Sequence, residues 1–188
     1  MLYQIFSLLL EVATSIFAGA CLLRLYMQYQ RISMSSRSGN PLGRFVFALT
    51  DWLVLPLRRV VPAAGRWDLA SLVAAYGLEL LQFFLLWLLA GAGGGLLAVP
   101  ILAAFGLLRL AISGLTGLVI VYALLSWVQA PSPLSDVIGR LCSPPLMPIR
   151  RVLPLVGGID LSPLVLLLLL QIASIVLGHL QGWALLAV

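Results

Sequence analysis

The 188-residue chain is poor in the side chains that most soluble enzymes use: it has one histidine, two cysteines, six acidic residues and no lysine. A Walker-type phosphate loop is excluded, because that loop needs a lysine after its glycines. Neither Cys21 nor Cys142 has a CxxC partner, and His179 is the only histidine. These few ligands argue against a zinc or haem site. We therefore expect no cofactor, no metal and no enzymatic activity.

Charge is also scarce, at 9% of residues against about a quarter in a soluble domain. What the chain has instead is apolar sequence: 62% of its residues are hydrophobic, and they form long runs. Such runs predict an all-α membrane protein with about four transmembrane helices. The runs span residues 2–26, 69–90, 110–128 and 161–180. The first is interpreted as a retained helix, because it lacks the basic start and the cleavage site of a signal peptide.

Two shorter segments, 42–55 and 134–147, are too short to span a bilayer and too apolar to lie free in water. Both are predicted to be amphipathic helices in the membrane interface. Residues 96–128 are longer than one span needs. They are interpreted as a dipping segment (96–108) followed by a span, and one long kinked helix is the alternative. Glu11 lies either at the membrane surface, if the first span starts near Val12, or inside the bilayer.

A motif of the form Pro-x-Arg-Arg-x-x-Pro-x-x-Gly-x-x-Asp occurs twice, 92 positions apart. Its members are Pro56, Arg58, Arg59, Pro62, Gly65 and Asp68 in the first copy and Pro148, Arg150, Arg151, Pro154, Gly157 and Asp160 in the second. The repeat indicates an internal tandem duplication, with residues 1–95 and 96–188 as its two halves. Each half reads span, loop with interfacial helix, span, so the halves run in a parallel sense. A pseudo-twofold axis along the membrane normal is expected.

All 11 basic residues are arginine, and all but Arg109 flank the two motif-bearing loops. Short arginine-rich loops stay cytoplasmic, which predicts that both loops face the cytoplasm and both termini face outward. The net charge of +5 is therefore assigned to topology and to anionic phospholipid headgroups, and direct nucleic-acid binding is not expected.

The arginine pairs lie between prolines, whose fixed torsions limit the freedom of the loop. Guanidinium groups bind phosphate and carboxylate bidentately. Three ligands remain open: lipid phosphate, an Asp of the same or the other copy (for example Arg150 with Asp68), or an acidic segment of a partner protein. Asp68, just before an apolar run, is expected to cap the next helix.

Glu79 lies near the middle of its span, and Gln171 is its mate 92 positions on. The repeat predicts that both side chains lie at one depth, near the pseudo-twofold axis. A carboxylate facing an amide there is either a proton or cation site or a hydrogen bond that joins helices.

The duplicated motif, Leu125-Ser126-Trp127-Val128 and Asp160-Leu161-Ser162-Pro163 together resemble the YggT family of bacterial membrane proteins, related to YlmG proteins of cyanobacteria and chloroplasts. The first copy departs at Leu25-Tyr26-Met27-Gln28 and at Ala70-Ser71. The resemblance implies a multi-pass inner-membrane protein with no established biochemical activity. It further implies a role in osmotic stress tolerance, in organisation near division sites or nucleoids, or, in plastids, in assembly of a cytochrome complex.

Together these observations predict a non-enzymatic scaffold or assembly factor that acts through two cytoplasmic Arg-Arg loops. Its expected partner is a membrane protein or a second copy of the chain. The alternative is an ion or osmolyte channel or transporter with its polar site, Glu79 and Gln171, at the repeat interface.

Overall fold

The computed structural model describes residues 1–34, 40–61, 67–92, 95–128, 132–153 and 160–186. This part of the chain folds into six helices. They are α1 (Leu2–Tyr29), α2 (Pro41–Leu57), α3 (Leu69–Leu89), α4 (Ala98–Val128), α5 (Pro133–Val152) and α6 (Ser162–Leu186). Four of them, α1, α3, α4 and α6, are long and apolar enough to cross a membrane. The predicted all-helical fold with four candidate membrane spans is confirmed.

The third span departs from the preferred interpretation of the sequence. Residues 98–128 form one helix of 31 residues, so a separate dipping segment over residues 96–108 is wrong. Pro100 does not interrupt the helix, because it lies in the first turn, where its missing N–H has no intrahelical partner to lose. At 1.5 Å per residue the helix is about 46 Å long, which exceeds the roughly 30 Å of a hydrocarbon core.

The two short helices begin at polar caps and run further than predicted. Asn40 caps α2, where its side chain accepts from the N–H groups of Leu42 and Gly43, and Ser132 caps α5 in the same way. Helix α2 ends at Leu57, one residue after Pro56. Arg58 and Arg59 follow it in a turn, as a loop interpretation requires.

Helix α5 does not end before its arginine pair. It continues through Pro144, Pro145 and Pro148 to Val152, so Arg150 and Arg151 lie in its last turn and not in a loop. A proline leaves the carbonyl four residues earlier without its helical donor, and for Pro145 that carbonyl belongs to Leu141. The Tyr26 hydroxyl donates to the Leu141 carbonyl at 2.8 Å, so α1 supplies the bond that the proline removes.

Both halves of the chain pack in the same way, with the short helix against its two spans. Ala18 of α1 packs in a cluster with Val54 and Ala74. Val119 of α4 packs in a cluster with Leu146 and Leu166, which follow Val54 and Ala74 by 92 positions. Val119 itself follows Ala18 by 101 positions, so α1 and α4 correspond at a larger offset: Ala18 and Val54 are 36 positions apart, whereas Val119 and Leu146 are 27 apart.

The halves join through α4, which packs on α3 and also touches α1, and through a smaller contact between α2 and α5. If the pseudo-twofold symmetry were complete, α6 would pack against α1 in the way that α3 packs against α4. Over their described residues α1 and α6 do not form a packed pair. The predicted symmetry is therefore incomplete, and one side of the duplicated arrangement stays open.

Candidate functional site: two arginine pairs and a buried ion network

The first arginine of each pair is bound within its own repeat. Arg58 donates to the Asp68 carboxylate, and Arg150 lies 2.7 Å from the Asp160 carboxylate. Each aspartate lies just before the next span. The start of that span lies beside the end of the short helix, so the aspartate is within reach of the arginine. An ion pair within one copy is thus confirmed, whereas the cross-copy example of Arg150 with Asp68 is wrong.

The second arginine of each pair is placed differently. Arg59 and Arg151 are exposed, and neither makes a side-chain hydrogen bond or ion pair with the described part of the chain. Each is followed by a valine with most of its side chain in the open: Val60 is 80% exposed and Val152 is 81% exposed. We call Arg59–Val60 and Arg151–Val152 the two Arg-Val tips. They present a cation beside an apolar side chain at equivalent positions of the two repeats.

The remaining motif positions divide into two sets. Pro56 and Pro148 lie inside α2 and α5, near the end of each helix, where each fixes its own φ shortly before the arginines. Pro62, Gly65, Pro154 and Gly157 lie outside the described residues.

The general assignment of the loop-flanking arginines to lipid headgroups is wrong for Arg24. Its side chain is 2% exposed, because α2 packs across α1 at this level. One guanidinium nitrogen, Nη1, donates to Thr50 Oγ1 and to Asp51 Oδ1, both at 2.7 Å. Nε lies 3.7 Å from Asp68 Oδ2, and the guanidinium carbon lies 4.8 Å from the Phe47 ring centre. Arg24 therefore links three elements: α1, α2 and the start of α3.

Asp68 is the second buried charge of this network and is fully shielded from solvent. Its side chain accepts from Arg58 and from Ser71 Oγ and makes no cap hydrogen bond to α3, so the predicted capping role is wrong. Burial acts to raise the pKa of Asp68, but the hydrogen bonds from Arg58 and Ser71 outweigh it and the pKa lies below its usual 3.8. The carboxylate is held charged between two arginines.

The equivalent site in the second repeat is more open and simpler. Arg150 donates to Asp160 and to the Tyr122 hydroxyl, the latter at 2.7 Å. Asp160 also caps α6, since its Oδ1 accepts from the Ser162 N–H at 2.9 Å. Burial acts to raise the pKa of Asp160, and the bonds from Ser162 and Arg150 more than offset it, so the pKa lies below 3.8.

Glu79 lies deep in α3 and is 6% exposed. It packs against Gly106 of α4, where an added Cβ would collide with its carboxylate and lie 2.9 Å from the Phe83 ring. Its carboxylate has no hydrogen-bond partner among the described residues. Glu11 of α1 and Arg109 of α4 act on it electrostatically. Glu11 lies within the helix of the candidate span Tyr3–Tyr29, and both interpretations of its depth remain open because this helix is longer than a hydrocarbon core.

Gln171 is not the partner of Glu79. It is exposed on α6 and lines a hollow between α4 and α6 together with Arg109, Thr116 and Ser174. Arg109 donates to Gln181, further along α6. The predicted Glu79–Gln171 pair is wrong, because Glu79 is buried against Gly106 of α4 whereas Gln171 is exposed at the hollow between α4 and α6.

Comparison with known sequences identifies the family of the chain. A model of the CCB3/YggT family matches residues 3–89 and 101–181, which covers both repeats. The chain belongs to the CCB3/YggT family. An Escherichia coli relative described as uncharacterised protein YggT is 38% identical, over 88% of this chain and 85% of the relative. An uncharacterised Vibrio alginolyticus protein is 34% identical, over 94% of this chain and 95% of the relative. No solved structure matches.

The duplicated YggT motif accounts for the Arg58–Asp68 and Arg150–Asp160 pairs, but sequence reasoning missed the role of Arg24. Its counterpart in the second repeat, 101 positions on, is Leu125. The counterpart of Asp51, 92 positions on, is Ser143. Both charges are present in one copy and both are absent from the other. That joint difference was the available indication that the two side chains meet.

Proposed function

We propose that this CCB3/YggT protein is a non-enzymatic scaffold or assembly factor of the bacterial inner membrane, and that it binds a partner protein through the two Arg-Val tips. The observation that carries the proposal is the division of each arginine pair. Arg58 and Arg150 are bound to aspartates of their own repeats, and Arg59 and Arg151 are left exposed.

The ion pairs support this role because they fix the backbone beside each free arginine. A binding group that is already positioned loses less conformational entropy when a partner arrives. The prolines at Pro56 and Pro148 restrict the same turns. Arginine is also enriched among the residues that dominate protein–protein binding energy, and it binds carboxylates in a fork geometry.

The two tips lie at one end of the helical bundle. Helix α2 joins the end of α1 to the start of α3, helix α5 joins the end of α4 to the start of α6, and the two short helices contact each other. The bias of arginine toward this end of the bundle supports a cytoplasmic location for it, with both termini outside. Two cations, each with an exposed valine, suit a partner segment in which acidic and apolar side chains alternate.

The test is site-specific photo-crosslinking in native membranes, with the probe in place of Val60 and, separately, of Val152. We expect one discrete crosslinked protein at both positions, and we expect the combined change Arg59→Gln and Arg151→Gln to remove it. The matched control is Arg44→Gln with Arg140→Gln, because these two exposed arginines lie on α2 and α5 away from the tips. The control removes the same net charge and should leave the crosslink in place.

Crosslinks to lipid alone, or a protein crosslink that survives loss of both tip arginines, would contradict the proposal. Loss in both the tip variant and the control variant would assign the effect to total charge instead. Once a partner is identified, osmotic stress tolerance and organisation near division sites are the processes in which to measure the tip variant.

A second candidate function is an ion or osmolyte pathway, and Glu79 is the observation that favours it. A buried carboxylate without a hydrogen-bond partner inside a membrane span is a functional candidate by default. The test is ion and osmolyte flux in proteoliposomes that contain the purified protein. Flux that is lost in Glu79→Gln while folding is retained would support a pathway, and flux that is absent or unchanged would exclude it.

A further inference from the structure

The packing of α3 on α4 joins the first repeat to the second. Glu79 and Phe83 of α3 lie against Gly106 of α4. Nearer the α4 N-terminus, the Tyr76 hydroxyl donates to the Pro100 carbonyl at 3.2 Å. One face of α3, defined by Tyr76, Glu79 and Phe83, is thus covered by the helix that begins the next repeat.

The same face exists on α6, where the described part of the chain leaves it exposed. The residues 92 positions after Tyr76, Glu79 and Phe83 are Leu168, Gln171 and Ile175, and all three are exposed. The complementary face exists on α1. The residues 101 positions before Gly106, Leu107 and Leu110 are Ile5, Phe6 and Leu9, which are exposed as well. Duplication has therefore left exposed, at opposite ends of the chain, the two faces that correspond to the α3–α4 contact, with Ile5 in the place of Gly106.

Gln171 distinguishes this α6 face from an ordinary lipid-facing surface. Its amide is exposed in the middle of a candidate span and has no hydrogen-bond partner in the described chain. A polar amide in hydrocarbon is unfavourable without a partner, and glutamine side chains commonly join helices within membranes. Lipid tails offer no such bond. A polar group on an adjoining helix does.

We propose that α6 of one molecule packs against α1 of a second copy of this chain, so that the contact between α3 and α4 is repeated between molecules. Leu168, Gln171 and Ile175 form one side of the contact, and Ile5, Phe6 and Leu9 of the second copy form the other. Because the two sides differ, the contact is heterologous, and each molecule can use both of its ends. This inference does not depend on the docking role of the Arg-Val tips.

Cysteine crosslinking between differently tagged chains tests the proposal. One chain carries Ile5→Cys and the other carries Ile175→Cys, and oxidation in native membranes should join them. The native Cys21 and Cys142 are buried, so chains without an added cysteine give the background yield of crosslinked dimer. The control pair is Leu8→Cys with Leu169→Cys, because both residues are exposed but lie roughly a third of a turn away from the proposed faces.

The Ile5/Ile175 pair should give roughly tenfold more mixed dimer than the Leu8/Leu169 pair, since proximity raises the effective concentration of the two thiols. Ile5→Cys alone, which tests a symmetric contact, should give only background. Equal yields from the two pairs, or no mixed dimer from Ile5/Ile175 at normal membrane levels of both chains, would overturn the proposal.

A measurement on the unmodified protein guards against variants that fail to insert. Single-molecule photobleaching of a tagged wild-type chain in native membrane vesicles should show more than one chain per complex, and Gln171→Leu should shift the distribution toward single chains. A wild-type distribution of single chains only would refute the contact whatever the cysteine variants do.

Discussion

Arg24 is a charge kept away from water by the fold around it. Its guanidinium binds Thr50 and Asp51 and lies close to Asp68, so two carboxylates compensate it. Breaking a buried ion pair from one side leaves the other charge uncompensated, and this is far more destabilising than the loss of an exposed pair. The network therefore fixes α2 against α1 and positions Asp68 for Arg58.

Replacing Arg24 with Met should lower the free energy of unfolding by about 3 kcal/mol, because Asp68 remains buried with one arginine fewer. Denaturant unfolding in mixed micelles is the measurement. Arg140→Met, a change at an exposed arginine without an ion pair in the described chain, should stay within about 0.5 kcal/mol of the wild type. Equal effects of the two changes would show that the Arg24 network does not stabilise the fold.

At the level of single residues, the sequence offered an aspartate of the same or the other copy as one of three possible ligands for the arginine pairs. The repeated motif did not decide among lipid phosphate, these aspartates and a partner protein. It could not separate the bound from the free arginine of each pair, since adjacent arginines are chemically identical until the helix end orients them. Arg24 was assigned to the headgroups because burial by α2 depends on tertiary packing.

Among the elements, α5 shows best how the two repeats support each other. Three prolines inside this helix remove N–H donors and should weaken it. The carbonyl of Leu141, which Pro145 deprives of its donor, is bound by the Tyr26 hydroxyl at 2.8 Å and by the Gln30 side chain at 3.4 Å. Helix α5 is thus completed by α1 of the other repeat.

Tyr26→Phe should therefore destabilise the protein by about 1–2 kcal/mol, because the Leu141 carbonyl loses its closest donor. In a Pro145→Ala background the helix regains its own N–H donor, and Tyr26→Phe should cost at least about 0.5 kcal/mol less. Unfolding free energies of the four proteins form the double-mutant cycle. A coupling energy of zero would mean that the hydroxyl does not replace the missing helical bond.

The α3–α4 contact makes a second prediction at this scale. Gly106→Ala should destabilise by about 1–3 kcal/mol, because the new methyl group meets Glu79 and Phe83. Gly114 lies on the same helix, and a methyl group added there would have no atom within 4 Å. Gly114→Ala should be neutral or stabilising by about 0.5 kcal/mol. If both variants have the same free energy of unfolding, the close approach at Gly106 does not affect stability.

The apolar runs were sufficient to predict four candidate spans and two shorter helices, because helix length and hydropathy are local properties. The ends of α4 and α5 were predicted wrongly for a common reason. Proline and glycine were interpreted as breaks, whereas Pro100 falls in a first turn and Pro145 is compensated by Tyr26. Position within the helix and contacts from a distant helix decide the outcome, and neither can be read from the segment itself.

At the scale of the whole molecule, duplication places two equivalent arginine pairs at one end of a membrane bundle. The two short helices α2 and α5 contact each other, and each arginine pair contributes one exposed cation and one exposed valine. A partner that binds both tips at once would gain from the proximity of the second site. The docking proposal therefore requires that both tips face the same compartment.

The most direct measurement is the accessibility of a cysteine at each tip. Val60→Cys and Val152→Cys are made separately and treated with a membrane-impermeant maleimide, in intact spheroplasts and in inverted inner-membrane vesicles. We predict that both cysteines react in inverted vesicles and neither reacts in spheroplasts. Reaction of either tip from the outer side, or of the two tips from opposite sides, would contradict a single cytoplasmic docking face.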